Sequence, residues 1–274
     1  MKKIVLSAVF SLFVTIILFA QKKNSLEFSF GPSFAVGAFG GRNLDNPKSG
    51  YAGAGQQVNV GYTYKLTKKF GLSALLYAQR NLINRNKLND HFSGTNMGAN
   101  FVFGTTTTVI STQPMNPPPP VYYTNWSIEK KAWLAASLLV GGTADLPFHE
   151  TGKLSFIANG MIGLIAIKSP KIEATSETDT SATHFSQTSK SGFGFAYLLR
   201  AGLKYKLNSR IALQVAVDYM ASSPVTFKKV QATETTVTMT TGSSFPTYSQ
   251  ATQTADAKQS LQAINLNAGI VLQL

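Results

Sequence analysis

The sequence predicts an all-β chain that closes into an eight-stranded antiparallel up-and-down barrel across a membrane, with long extracellular loops. Three observations carry this. Apolar residues recur at every second position through eight segments, which is the period of a β-strand. The segments run to roughly 9–13 residues, the length of a tilted membrane strand rather than the five or six of a globular sheet. Long and tight connections alternate, as in barrels with short turns at one end and extended loops at the other.

The elements follow in chain order. Leu26, Phe28, Phe30, Phe34, Val36 and Ala38 alternate with Glu27, Ser29, Gly31, Ser33, Ala35 and Gly37. After a Gly- and Asn-rich loop over 40–53, Val58, Val60, Tyr62 and Tyr64 alternate with Gln57, Asn59, Gly61, Thr63 and Lys65. Past Thr67-Lys68-Lys69, the residues Phe70, Leu72, Ala74 and Leu76 alternate with Gly71, Ser73, Leu75 and Tyr77. A long connection over 80–131 precedes two segments, 132–140 and 154–166, in which both faces are apolar or small, with an inner turn over 141–153 between them. Another loop over 168–192 leads to the sixth segment, where Phe193, Phe195, Tyr197, Leu199, Leu203 and Tyr205 alternate with Gly194, Ala196, Arg200, Gly202 and Lys204. Beyond Asn208-Ser209-Arg210 come Ile211, Leu213, Val215, Val217 and Tyr219, and a loop over 221–260 leads to Ile264, Leu266, Ala268, Ile270, Leu272 and Leu274. Aromatic residues near strand ends, namely Phe39, Tyr64, Phe70, Phe193, Tyr205 and Tyr219, fit the interfacial girdles of membrane barrels.

Composition narrows the classes further. The 274 residues carry 25 Lys+Arg against 12 Asp+Glu, a net charge of +13, yet only 14% are charged and 44% are hydrophobic. With no cysteine, a disulfide scaffold, a cysteine zinc site and a catalytic thiol are excluded, and the apolar content excludes a disordered chain. Beyond residue 20 no apolar run reaches the roughly 20 residues of a membrane helix. Residues 1–20 start with Lys2 and Lys3, continue apolar to Phe19 and end at Ala20, the layout of a cleaved signal peptide. Residues 21–274 then form one barrel domain, and +11 of charge remains without Lys2 and Lys3.

The tight turns Tyr64-Lys65-Leu66-Thr67-Lys68-Lys69-Phe70 and Tyr205-Lys206-Leu207-Asn208-Ser209-Arg210-Ile211 repeat one another in chemistry. Shared parity across each turn calls for a three-residue loop, whose last position usually wants Gly; Lys69 and Arg210 stand there instead. Pro32 interrupts the first strand, where a closed barrel offers no free edge to a residue without an N–H.

With its signal peptide, eight alternating segments, repeated hairpin and final strand, the chain resembles the small outer-membrane β-barrel proteins of Gram-negative bacteria, the OmpA/OmpX-like barrel group. The resemblance implies a bacterial outer-membrane location, contact with lipid and lipopolysaccharide, and insertion by the outer-membrane assembly machinery. Such barrels commonly end on an aromatic residue, whereas this chain ends Gly269-Ile270-Val271-Leu272-Gln273-Leu274. No periplasmic domain follows the barrel in the sequence.

For chemistry, Asp90, His91, Ser93 and His184 are loop groups and His149 falls in an inner turn, but no motif joins them. Glu173, Glu177 and Asp179 lack ligand spacing, so no catalytic, metal or cofactor residue is assigned. Arg200 and Asp218 face inward on strands joined by a short turn; a pairing sum of 418 places them opposite and one of 416 diagonal. Buried charges must be paired, so a lumen ion pair is expected, with Gln214, Asn265 and Asn267 nearby. Eight strands enclose a space just wide enough to be filled by side chains, so the lumen reads as plugged.

The loops carry Thr105–Thr108 and the Pro117–Pro120 run between extended arms over 100–111 and 121–131, and a hairpin of 233–241 with 247–254 turning at 242–246. Such hairpins point to contact with a surface protein or glycan by edge pairing; were the arms to enter the membrane, the barrel would have ten strands. Arg80, Arg85, Lys87, Lys130, Lys131, Lys168, Lys171, Lys228 and Lys229 fall at or beyond the outer strand ends, a basic collar at the height of lipopolysaccharide phosphates. Bases spread around a rim do not suit nucleic acid. The function expected is structural or surface interaction, without enzyme activity. A narrow channel would instead need a continuous wet path, and a surface enzyme converging loop groups.

Overall fold

The computed structural model describes residues 24–41, 49–94, 126–148, 153–239 and 246–274. The expected signal peptide, the 100–111 arm, residues 121–125 of the second arm, the polyproline run, His149 and residues 242–245 of the hairpin turn lie outside them. In chain order the elements are β1 (Asn24–Ala35), β2 (Ala52–Lys65), β3 (Phe70–Ile83), α1 (Arg85–Gly94), β4 (Ser127–Ile128), β5 (Ala132–Pro147) and β6 (Leu154–Lys168). There follow β7 (Ile172–Glu177), β8 (Ser181–Gln187), β9 (Ser191–Lys206), β10 (Ile211–Ser222), β11 (Val225–Thr238), β12 (Thr247–Gln259) and β13 (Gln262–Gln273).

Eight of these strands form a closed barrel in the order β1-β13-β10-β9-β6-β5-β3-β2, antiparallel throughout. The alternation fixes which way every side chain points. Phe193 is 81% exposed, Phe195 72% and Ile162 69%, whereas the intervening Arg200, Asp218, Asn59 and Asn265 are buried. An apolar exterior around a polar interior is stable only if the exterior meets lipid. Closure also leaves no barrel edge to be desolvated in hydrocarbon. Among the described residues no helix is long and apolar enough to cross a membrane; the crossing is made by strands.

The ten-stranded alternative is not realised. The loop arms leave the barrel and build a second, five-stranded sheet in the order β12-β11-β8-β7-β4. The reason is legible in Thr247-Tyr248-Ser249-Gln250-Ala251-Thr252-Gln253-Thr254, which has no apolar face to offer lipid. Two boundaries also differ from the sequence reading. β5 continues to Pro147, so the inner turn after it is shorter than 141–153; Gly141 and Gly142 break the apolar pattern without breaking the ladder to β6. β1 stops at Ala35, and Phe39 is buried in the core above the barrel mouth rather than set in an aromatic girdle.

Both repeated turns have the three-residue geometry, since Lys65 pairs with Gly71 and Lys206 with Ala212. Neither uses a left-handed residue. Instead Thr67 Oγ1 accepts from the N–H groups of Lys69 (3.2 Å) and Phe70 (2.9 Å), and Asn208 Oδ1 accepts from those of Arg210 and Ile211, both at 2.8 Å. A side-chain oxygen closes each turn, the usual service of Thr and Asn in loops.

Pro32 is also explained. β1 pairs with β13 at a constant register on both sides of it, with the bridges at Gly31 and Pro32 missing, while the ladder to β2 is unbroken. The absent N–H falls on the β13 side, and no bulge is needed. Gly31 beside it is required, because a Cβ there would run into the Leu266 carbonyl oxygen.

Candidate functional site

Three regions carry the polar and aromatic groups that the barrel walls do not need: the lumen, the cap above its long-loop end and the two basic rims.

In the lumen, Arg200 and Asp218 are paired, and of the two registers open from sequence the structure has the opposite one. The guanidinium donates from Nε to Asp218 Oδ1 at 2.7 Å and from Nη2 to Oδ2 at 2.8 Å, a bidentate fork with both side chains fully buried. Two further partners go beyond the sequence reading. Arg200 Nη1 donates to Glu27 of β1, and Asn59, with its amide turned, accepts from Nη2 at 3.0 Å. The neighbours named from sequence divide. Asn265 pairs with Asp218 across the strands and donates to Tyr77 Oη at 3.0 Å, and Asn267 accepts from Gln57 Nε2. Gln214 lines a cavity of about 40 Å³ at the short-turn end.

That cavity belongs to a second ion cluster, in which Lys204 donates to Asp145 and Lys65 lies 4.0 Å from the same carboxylate. Alternation assigns Lys65 and Lys204 to the inward face. It does not reach Asp145 if the strand is ended at Val140, but carrying the odd-position parity of β5 past the glycines, through Gly141 and Thr143, finds it. Three bases, Arg200, Lys204 and Lys65, thus meet three acids, Asp218, Glu27 and Asp145. Charges taken from water inside a membrane are tolerable only when matched in this way.

Toward the long-loop end the lumen divides: along β3 a polar chain of Tyr77, Gln79 and Asn81 reaches Ser33 at the mouth, while beside it an apolar core runs into the cap. Leu75, Leu139, Ile165 and Leu198 from the barrel share one buried core with Phe39, Leu88, Phe92, Phe185 and Phe227 from the loops. Trp133, at the mouth, meets Phe39 edge-on at 5.5 Å and Phe227 at 5.9 Å, and its Nε1 donates to the Gly50 carbonyl at 2.9 Å. Phe92 of α1 stacks on Trp126 at 5.0 Å and meets Phe185 of β8 edge-on at 5.2 Å. The cap sheet turns its other face outward, with Thr175, His184, Thr233, Thr235, Gln250 and Thr252 in cross-strand register. Asp90 is paired with Lys87 and His184 lies across from Thr175 and Thr235.

The nine bases of the expected collar are at the long-loop end, with adjustments. Arg80 lies within β3 on its outward, exposed face rather than beyond the strand, and Lys168 is the last residue of β6. Arg85 and Lys87 sit on α1. Lys228 and Lys229 are consecutive and both exposed in β11, at a bulge between Phe227 and Val230 that lets both apolar residues stay buried. Lys229 has φ 53° there, its N–H bound to Asp256 Oδ1 at 2.9 Å. Three bases are already engaged: Lys87 with Asp90 at 3.5 Å, Lys131 with Glu129 at 2.6 Å and Glu173 at 3.6 Å, and Lys171 with Glu173. The Lys171 hydrogen bond holds the Glu173 carboxyl below the usual carboxylate range, against some desolvation and with help from the charges of Lys171 and Lys131.

An apolar exterior, a charge-matched lumen and a folded cap define the class: a transmembrane β-barrel whose loops form a structure of their own. No protein-family model matches the chain, and no curated protein matches it. Among solved structures it is similar to Neisserial surface protein A, at 9% identity and TM-score 0.39, over 92% of this chain and 97% of that one. It is similar to Ail, the attachment invasion locus protein of Yersinia pestis, at 12% identity and TM-score 0.35, over 90% and 99%. A major outer membrane protein from Thermus thermophilus aligns at 12% identity and TM-score 0.40, over 92% and 98%. The fold assignment rests on the closed ladder itself.

Proposed function

We propose that this chain is a bacterial outer-membrane β-barrel protein with a structural or surface-interaction role and no catalytic activity. The barrel is a plugged stem, the long-loop end faces outward, and the cap is what it presents. The observation that carries this reading is the single core running from the barrel lumen into the cap, which commits the loops to a rigid platform rather than to a pore mouth. Orientation follows from tight turns at one end and long loops at the other. The outward face of the cap sheet, rich in hydroxyl and amide groups, suits a protein or glycan, and β12, which among the described residues pairs only with β11, offers an edge for strand addition.

In this setting the bases of the long-loop end that have no acidic partner among the described residues meet lipopolysaccharide phosphates, each contributing attraction of about 1 kcal/mol near an anionic surface. The test joins orientation to contact. An epitope inserted in the turn joining β11 to β12 should be labelled by antibody on intact cells. The variant Arg80→Gln/Lys130→Gln/Lys168→Gln/Lys228→Gln should co-purify with less lipopolysaccharide, and the remainder should respond less to salt. Labelling only after cell disruption contradicts the orientation; an unchanged amount and salt response contradict the collar.

A further inference from the structure

The two ends of the barrel handle their charges differently. At the long-loop end Asp90, Glu129 and Glu173 engage three of the bases. At the short-turn end Lys68 and Lys69 occupy the turn after β2, Lys153 precedes β6, and Lys206 and Arg210 flank the turn after β9. Among the described residues none of these five has an acidic partner, and Asp145, the carboxylate at that mouth, is taken by Lys204 and Lys65. The backbone around them is firmly held: the Lys153 carbonyl accepts from the Lys206 N–H at 2.8 Å and the Arg210 carbonyl from the Gln273 N–H at 2.7 Å. The cations are thus fixed to a rim, with flexible side chains above it.

Apolar groups share the same turns. Leu66 is 56% exposed, Leu207 55% and Phe148 61%, each within a few residues of a rim base. A turn that exposes leucine beside lysine is set at the boundary of a membrane, with the apolar group in acyl chains and the ammonium reaching the headgroups. A cell-wall polymer would call for bases projecting clear of the membrane, and exposed leucines in the same turns argue against that.

We propose that the short-turn rim binds anionic phospholipid headgroups, gathering phosphodiesters in the leaflet that it meets. The leaflet is the inner one if the orientation proposed above holds; the lipid contact itself does not depend on it.

The test uses the full mature chain folded into vesicles of phosphatidylcholine with phosphatidylglycerol, and reads the preference of spin-labelled phosphatidylglycerol over spin-labelled phosphatidylcholine for the motionally restricted shell. The wild type should favour the anionic lipid by about fivefold at low salt, the preference falling as salt rises. Lys68→Gln/Lys69→Gln/Lys206→Gln/Arg210→Gln should lose a large part of that preference, and the smaller Lys68→Gln/Arg210→Gln a lesser part, with heat-dependent gel migration confirming folded barrels. The four-site long-loop variant described above removes the share of the opposite leaflet only, so combining the two sets should lose more than either alone. Equal preference in wild type and rim variants overturns the proposal. So does salt-sensitive capture of the wild type on isolated peptidoglycan sacculi with no lipid preference, which makes the partner the cell wall. Antibody labelling from the wrong side would sink the orientation and leave this result standing.

Discussion

Arg200→Ala should lower the unfolding free energy of the barrel by about 3–5 kcal/mol, the loss typical when one partner of a buried ion pair is removed. The geometry puts the value toward the upper end. Arg200 satisfies Asp218 through a bidentate contact and Glu27 through a third donor, so its removal strands two carboxylates at once. The triple change Arg200→Met/Asp218→Asn/Glu27→Gln should recover much of the loss, because it removes the charges together. Urea unfolding of vesicle-folded protein, followed by tryptophan fluorescence, measures both. A midpoint unchanged in the single variant would mean that the cluster is solvated and the lumen is wet.

Trp133→Ala should be as damaging in magnitude but different in kind. Removing a buried aromatic of this size costs about 3–5 kcal/mol, and Trp133 is 1% exposed between Phe39 and Phe227 at the junction of barrel and cap. The loss falls on the cap, since the barrel ladder of β5 to β3 and β6 does not depend on the indole. Limited proteolysis should therefore cut β7–β8 and β11–β12 far faster than in the wild type, while heat-dependent gel migration of the barrel persists. Trp133→Phe keeps the ring contacts but leaves the Gly50 carbonyl without its donor, and should cost about 1 kcal/mol. If the alanine variant's cap resists protease like the wild type, the shared core is not what holds it.

The barrel is legible in the sequence because lipid and lumen impose opposite demands on successive residues. Phe193, Gly194, Phe195 and Ala196 state that rule without tertiary information, and parity alone puts Arg200 and Asp218 on the same inward face; whether they stand opposite or diagonal is settled only by the register of the ladder. Asp145 escapes where the rule weakens: Gly141 and Gly142 carry no side chain to mark a face, so the strand looks finished there. Glu27 as a third partner of Arg200 is out of reach for another reason. β1 and β9 are far apart in the sequence and are not neighbours in the ladder, so only the closed barrel brings their inward faces together. The cap sheet is half legible. The β11–β12 hairpin follows from the two Thr-rich runs, but its pairing with β8, and that of β7 with β4, joins separate loops that share no local pattern.

The chain has no cysteine, which allows the most direct measurement on the plugged-barrel account: single cysteines along β10, folded into vesicles. A fluorophore on Leu213→Cys, Val215→Cys or Val217→Cys, attached before folding, should be strongly quenched by brominated lipid. Unlabelled Gln214→Cys and Ala216→Cys should resist an aqueous thiol reagent until the protein is unfolded. Alternation of lipid contact with burial at successive residues is the result the account predicts. Rapid aqueous modification at 214 and 216 would reveal an open pore, and absence of quenching at 213, 215 and 217 would show that the apolar face does not meet the membrane at all.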